Sequence, residues 1–425
     1  MSSIVIAGGG VAGLEALVAL RHHLGPDPRI DLLEANVELV ERPMAVAEPF
    51  GGAAPRHFDL SRIAADHAAV LRPDQLGSVE PTERRLRTVR GDVLEYDALL
   101  VAVGARTDIA VPGALTFTGP RDVGALRHLL EGLVARRVRA VAFAVPAAVT
   151  WALPLYELAL MTAEHLRAAG IEDARLVLVT PERNPLEVFG ARTASRIRAL
   201  LAERGIGLRT ETVPLRVGPG GLAIVGGDWI AVERVVALPR LGGPWIGGLP
   251  HDLDGFIPTD EHGSVPGAPA VWAAGDGTAF PIKQGGLAAQ QAGAAAAAIA
   301  AHLGAPLDPA PFRPELRGLL LDPRGARVLT QETGAPSDGA MWSPPSKVAT
   351  QHLAPYLAAG GGAAPERVRE DEVDVGALLL TLAERHIDMG ERSLAVRCLD
   401  AAEQLGSDLP ADAAQWRREL AAPLG

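Results

Sequence analysis

Residues 3–20, SIVIAGGGVAGLEALVAL, and residues 30–35, IDLLEA, decide how this chain is read. Ser3 to Ala7 is an apolar run of β-formers, GGGVAG turns it, and an apolar-periodic helix follows through Leu20. The next strand ends near Glu34. Strand, glycine turn, helix, strand and an acid about twenty residues on make the pattern of a dinucleotide-binding unit. Each residue type has a physical reason. Gly8 permits the tight turn, Gly10 lets the backbone approach a pyrophosphate, and Gly13 lets helix and strand pack closely. The diphosphate then sits at the positive end of the helix. Glu34 is placed to accept hydrogen bonds from a ribose, which favours an adenosine without a 2′-phosphate.

Working outward, Gly77 to Arg90 reads as hairpin strands. Leu99 to Val103, in EYDALLVAVGART, reads as a buried strand ending at Gly104-Ala105 that returns the chain to the first unit. Residues 138–180 form a second strand–helix–strand pattern: VRAVAFAV, PLYELALMTAEHLRAAG and ARLVLVT. Its turn, VPAAVTWALPLYE, lacks the glycines and carries Pro146, Trp151 and Pro154 instead. Those side chains keep backbone amides away from a pyrophosphate, which makes NAD(P)H binding in the usual manner doubtful. Strands resume through Leu208–Val213 and WIAVERVVAL. PAVWAAGDGTAF supplies another strand, ending at Gly275-Asp276, and a helix runs from about Gly286 to His302. Proline-rich joints lead to a short β-like region around Leu319–Gln331. Near the end, VDVGALLLTLAERHIDMG and ERSLAVRCLDAAEQLG are two helical patterns split by Gly390, and DAAQWRREL is a third. They read as an acidic, appended helical-hairpin module.

Composition narrows the function. A length of 425 residues, about half hydrophobic, implies two or three globular domains. A net charge of -11 argues against a nucleic-acid partner. The N-terminus reads as a strand and turn and not as a secretory signal, and no segment reads as a membrane span, so a cytoplasmic protein without stable membrane insertion is expected. The single cysteine, Cys398, excludes an intramolecular disulfide and reads as an inert, buried thiol. The eleven histidines show no metal-ligand spacing, and no metal site is expected.

With GGGVAG, Glu34, YDALLVAVGA, a second βαβ pattern and AAGD in order, the chain resembles the pyridine nucleotide-disulfide oxidoreductase superfamily of flavoproteins with two dinucleotide domains. Within it, LPLYELAL, LVTPE, PIKQGG and KVATQHLAPYL look most like the branch of sulfide:quinone oxidoreductase and flavocytochrome c sulfide dehydrogenase. The resemblance implies an α/β fold of two Rossmann-like domains. The expected divisions are 1–110 (FAD-binding, first part), 111–240 (inserted NAD(P)-binding-like domain with a degenerate loop) and 241–305 (FAD-binding, second part). An interface region, 306–362, and the helical module, 366–425, complete the chain. It also implies bound FAD, with Gly8, Gly10, Ala12 and Gly13 at the pyrophosphate and Glu34 at the ribose. Arg42 and Val79 fall where the family lines the FAD site. Gly104 matches its AxG turn, and Gly275-Asp276 the acid at the ribityl and phosphate end. The paired cysteines of the sulfide-oxidising members have no counterpart here, so persulfide chemistry is not expected.

The candidate chemistry centres on PIKQGGLAAQQA. A cation or a helix N-terminus stabilises the negative charge of a reduced flavin ring. Lys283 and the amides from Gln284 to Gly286 offer both. The chain has only two lysines, Lys283 and Lys347, and elsewhere uses arginine, whose broad fork does not replace a compact ammonium. Lys347 reads either as a second such cation or as a surface residue. Glu157 matches a glutamate that related enzymes place near the flavin or nicotinamide. It reads either as a proton relay or as a helix-surface residue. Gln290 and Gln291 could bond a quinone or simply face out of their helix, and Trp151 and Trp245 could wall the pocket or fill core. The expected function is an FAD-dependent oxidoreductase passing electrons between a small-molecule donor and a quinone-like or protein acceptor. The alternatives are an NAD(P)H dehydrogenase of the NADH:quinone type and a flavin-bound interaction or sensor protein using residues 366–425 to bind a partner. A homodimer is compatible with either.

Overall fold

Two parallel sheets built on one plan organise this computed structural model, which describes residues 2–52, 54–325, 327–329, 347–359 and 374–421. In chain order their strands are β1 (Ser3–Ala7), β2 (Arg29–Leu33), β3 (Ala69–Arg72), β4 (Ala98–Val101), β5 (Leu115–Thr116), β6 (Ala140–Ala144), β7 (Arg175–Val179), β8 (Ile206–Arg209), β9 (Arg234–Ala237) and β10 (Val271–Ala273). The first sheet runs β10-β4-β1-β2-β3 and the second β5-β9-β6-β7-β8, with every pairing parallel. By sheet order β1, β2, β3 and β4 correspond to β6, β7, β8 and β9. The chain leaves the first sheet after β4 and re-enters it at β10, so the first unit is discontinuous and the second inserted. The hairpin reading before β4 becomes a three-stranded antiparallel sheet, Leu76–Glu80, Arg85–Thr88 and Val93–Glu95.

Burial explains why these segments are strands and helices. Ile4, Val5, Ile6 and Ala7 of β1 are wholly enclosed, as a central parallel strand covered on both faces requires. The covering helix α1 (Val11–Leu24) shares a core with the alanine-rich helix α3 (Gly285–His302). Ala12, Ala16 and Ala19 on one and Ala288, Ala292, Ala295 and Ala296 on the other belong to that core, and such small side chains let two helices and a sheet approach closely. In the second unit the helix after β6 is α2 (Leu153–Ala168). Two boundaries differ from expectation. α1 runs on to Leu24, and β8 stops at Arg209 where Val213 was expected, because Glu211 takes a left-handed φ of 49° that ends an extended run.

The C-terminal helices are less separate than their sequence suggests. Helix α4 (Leu353–Ala359) is anchored by Glu15 of α1, whose buried carboxylate accepts from the amides of Gln351, His352 and Leu353 at 2.9, 2.9 and 2.7 Å. Helices α5 (Val375–Asp388), α6 (Arg392–Gln404) and α7 (Ala413–Ala421) follow. Leu378, Leu379, Leu382, Leu394 and Leu399 lie in one continuous core with Leu186, Val188 and Phe189 of the second unit. The appended module is therefore packed into the body, and its apolar stripes are covered. Among the described residues no helix is long and apolar enough to cross a membrane.

Candidate active site

A cavity of about 2130 Å³ opens where the carboxyl ends of the first sheet face the second unit, in the crevice position expected of doubly wound sheets. The loops after β1, β2, β4 and β10 line it, as do the loop after β6, the start of α3, residues 347–358 and one side of α6. The volume exceeds the usual range for a single drug-sized ligand, roughly 300–1,000 Å³.

The first loop is built for a backbone approach. Gly8 has φ 117°, and a Cβ there would lie 2.2 Å from the Ala102 carbonyl oxygen; one on Gly13 would lie 1.8 Å from that of Gly8. Both glycines are demanded by packing. A Cβ on Gly10 would meet nothing, because that face is the cavity itself. α1 starts with neither a side-chain cap nor an acid in its first turn, so its amides are left for an anion. Glu34 holds the loop: it accepts from the Gly9 amide at 2.8 Å and from the Asn36 amide and side chain at 2.8 and 2.6 Å. Ala12, Arg42 and Gly104 also line the cavity.

The turn after β10 supplies the charged centre. Gly275 has φ 83° and donates its amide to Gln291 Oε1 at 2.8 Å, while Gln291 Nε2 reaches Thr278 Oγ1 at 3.4 Å. Gln291 thus positions the turn from within α3, a role that its place in a helical run concealed. Asp276 lines the cavity, and burial pushes its carboxyl above the usual carboxylate range against the opposing pull of Lys283 and Arg42. Lys283 donates to the Thr278 carbonyl at 2.5 Å and stands 4.0 Å from the centroid of the Phe256 ring. Burial, aided by the nearby Arg397 guanidinium, pushes its ammonium down to about 7, while Asp276, Asp252 and Asp254 oppose the shift.

Four candidates are corrected by their surroundings. Gln284 lines the cavity, but its side chain caps α3, accepting from Leu287 N at 2.8 Å and donating to the Arg317 carbonyl at 3.2 Å. A side chain so committed leaves the chemistry to the Gly285 and Gly286 amides. Val79 points into the core of the antiparallel sheet and does not line the cavity. Trp245 is 46% exposed and meets His251 at a tilt, centroids 4.3 Å apart, outside the cavity, whereas Trp151 lines it and meets Phe189 edge-on at 5.6 Å. Glu157 is wholly buried behind the wall, receiving both arms of an ion pair with Lys347 Nζ at 2.5 Å and the Leu321 amide at 2.8 Å. Lys347 is the member that lines the cavity. Gln290 clamps Glu315 through two backbone bonds of 3.0 and 2.8 Å.

The second unit differs at each matching position. Thr150 in the loop after β6 donates to the Pro281 carbonyl at 2.8 Å, pinning that loop against the segment that carries Lys283. Thr180 takes the place after β7 that Glu34 takes after β2, its amide bonding the Arg209 carbonyl as that of Glu34 bonds the Arg72 carbonyl, and the acid Glu182 comes two residues later. Glu182 is buried and accepts from Tyr156 Oη at 2.6 Å and Thr180 Oγ1 at 2.8 Å. Burial raises its carboxyl pKa, and Arg385 of α5 is the main opposing charge. Arg385 pairs with Glu187, and Arg183 with Asp388 at 3.6 Å, so α5 covers the segment after β7. Cys398 is buried in α6 with its thiol pushed up to about 12, and among the described residues no cluster could hold a metal ion.

A family model for pyridine nucleotide-disulphide oxidoreductases matches residues 2–298. The chain belongs to this family. As a family member it is a flavin-dependent oxidoreductase with a nucleotide-binding Rossmann fold, and the family typically binds FAD. It is similar to the NADH dehydrogenase-like protein MT1860 of Mycobacterium tuberculosis, 28% identical over 307 residues that span 65% of this chain and 72% of the relative. Among solved structures, the sulfide:quinone oxidoreductase of Aquifex aeolicus aligns with a TM-score of 0.72 at 19% identity, over 77% of this chain and 83% of that one. A ferredoxin reductase of Rhodopseudomonas palustris aligns with 0.59 at 19% identity, over 77% and 82%. At these identities the structural likeness concerns the fold. The residues present fit FAD: a glycine cradle that a Cβ would fill, free helix amides, an acid after β2 beside that cradle, and at the far end Asp276, lining the cavity within the electrostatic reach of Lys283.

Proposed function

We propose that this pyridine nucleotide-disulphide oxidoreductase holds FAD across its first unit and uses it to pass electrons from a small-molecule donor to a quinone-like or protein acceptor, without cysteine chemistry. Bound FAD would supply the two-electron redox chemistry. Gly8, Gly10 and Gly13 with the α1 amides would bind the pyrophosphate, with Arg42 as counter-charge. Glu34 would take the ribose hydroxyls and Asp276 the ribityl end. Lys283 and the Gly285 and Gly286 amides would face the charge that develops on the ring, fixed in place before reaction and needing no reorganisation. Lys283 also has a proton to give near neutral pH. A thiol held neutral by burial cannot act as a nucleophile, which supports leaving Cys398 out.

The observation that carries this reading is the contrast of the two loops: the one after β1 is an open cradle, and the one after β6 is filled by side chains and tied down through Thr150. The test is to reduce the FAD-loaded protein with dithionite and mix it anaerobically with a short-chain quinone. Reoxidation faster than that of free reduced FAD is expected, and a flavin that quinone leaves reduced sinks the quinone-like acceptor.

A second reading, an NADH dehydrogenase, is favoured by the sequence relatives and by Thr118, Gly119 and Arg121, which line the same cavity from the second unit. It requires NADH to reduce the flavin directly.

A further inference from the structure

We infer that Arg397 is a positioning residue of the flavin site, carried in by the C-terminal hairpin to set the charge around Lys283. Leu394 and Arg397, three residues apart on α6, are what the hairpin contributes to the cavity wall among the described residues. Arg397 is almost enclosed. Its Nη1 lies 2.9 Å from Asp252 Oδ2, 2.8 Å from Asp254 Oδ2 and 3.3 Å from Ser393 Oγ. Its guanidinium carbon stands 4.6 Å from the Phe256 centroid, the same ring that Lys283 Nζ approaches to 4.0 Å. Two cations therefore share one aromatic ring, and the two carboxylates serve both.

This arrangement does more than dock a helix. The groups facing Lys283 are Asp276 from the turn after β10, Asp252 and Asp254 from the loop ahead of Phe256, and Arg397 with its neighbour Cys398 from α6. A cation beside a buried lysine favours the neutral amine, and an anion favours the ammonium. Arg397 acts in both ways, by its own charge and by occupying Asp252 and Asp254. Its effect depends on the hairpin being in place. The hairpin thereby becomes part of the redox site. This inference rests on the FAD reading for its consequence at the ring, but the charge state of Lys283 is measurable without reference to the flavin.

With only two lysines in the chain, ¹³C reductive methylation of the FAD-loaded protein gives a readable spectrum, in which the Lys283 signal is the one missing from Lys283→Arg. The expected midpoint of that signal in the unaltered protein lies well below the ordinary lysine value, toward the value of about 7 that the protein groups alone impose. Arg397→Met should raise it by about one pH unit or more, since Lys283 then loses a neighbouring cation while Asp252 is freed of it and Asp254 keeps only Arg240, and Asp254→Asn should lower it. A purely structural role would change the melting temperature and leave the midpoint alone. An unmoved midpoint in folded Arg397→Met overturns the inference. If that variant does not fold, an unmoved midpoint in Asp254→Asn overturns it instead. FAD content, read from the visible band, fails separately: a protein that retains no FAD defeats the functional reading while the lysine titration still stands or falls alone.

Discussion

The two Rossmann-like units share strand order and differ in the loops that follow their first and second strands. In the first, the loop after β1 is glycine, the acid after β2 holds that loop open, and the helix N-terminus faces a cavity. In the second, the loop after β6 carries Pro146 and Trp151, the acid Glu182 after β7 is turned inward onto Tyr156, and α5 lies over the segment that follows. A shared topology fixes where a nucleotide could bind; loop chemistry decides whether it does. The second unit keeps the scaffold and uses its binding edge to seat the C-terminal helices.

The largest effects should separate the two loops. Gly13→Val puts side-chain atoms where only 1.8 Å is free, so the main chain must move and the purified protein should contain no FAD. Val149→Gly, in the second loop, should leave the flavin-to-protein ratio unchanged; equal losses in both would break the comparison. Next is the helix acid of the second unit. Glu157→Gln strands a buried ammonium and should cost about 3–5 kcal/mol in denaturant unfolding, much of it recovered by adding Lys347→Met. A cost below 1 kcal/mol would mean that the pair is solvated. The acids that follow β2 and β7 come third. Glu34→Gln should weaken FAD binding about tenfold by titration, a loss of order 1.4 kcal/mol, whereas Glu182→Gln should leave it within about twofold.

The smallest effect concerns pH. Lys283 has a lower pKa folded than unfolded, so between about 7 and the ordinary lysine value the unfolded chain binds the extra proton and stability rises with pH. With FAD removed, Lys283→Met should therefore melt about 2 °C or more above the parent at pH 6, and the gain should fade as pH rises through 7 toward 10. A gain independent of pH would assign the effect to packing alone.

Much of the first unit was legible in the chain. Glycine spacing, the alternation of strand and helix and the acid at Glu34 each have one cheap physical solution, and the structure uses it. Gly275-Asp276 and Lys283 were legible for the same reason: a turn and an isolated lysine stand out against alanine and arginine. What sequence concealed were partnerships between distant segments. Nothing in LAAQQAG distinguishes Gln291, which holds the Gly275 amide, from Gln290, which clamps Glu315. Glu157 and Lys347 could not be paired across the intervening chain. The helical tail read as a separate acidic module because amphipathic periodicity reveals an apolar face but not what covers it. Nothing in SLAVRCLDAAEQ marks out Arg397; only the position of its helix beside Phe256 does.

We propose above all that the first unit holds the flavin, and the side-chain-filled loop of the second argues against a nicotinamide nucleotide reaching it. Rapid anaerobic mixing of the FAD-loaded protein with excess NADH, and separately NADPH, tests it most directly. The visible flavin band should persist over minutes, while dithionite bleaches it at once. Bleaching within seconds, at a rate that rises and saturates with NADH concentration, would contradict it and make the chain an NADH dehydrogenase.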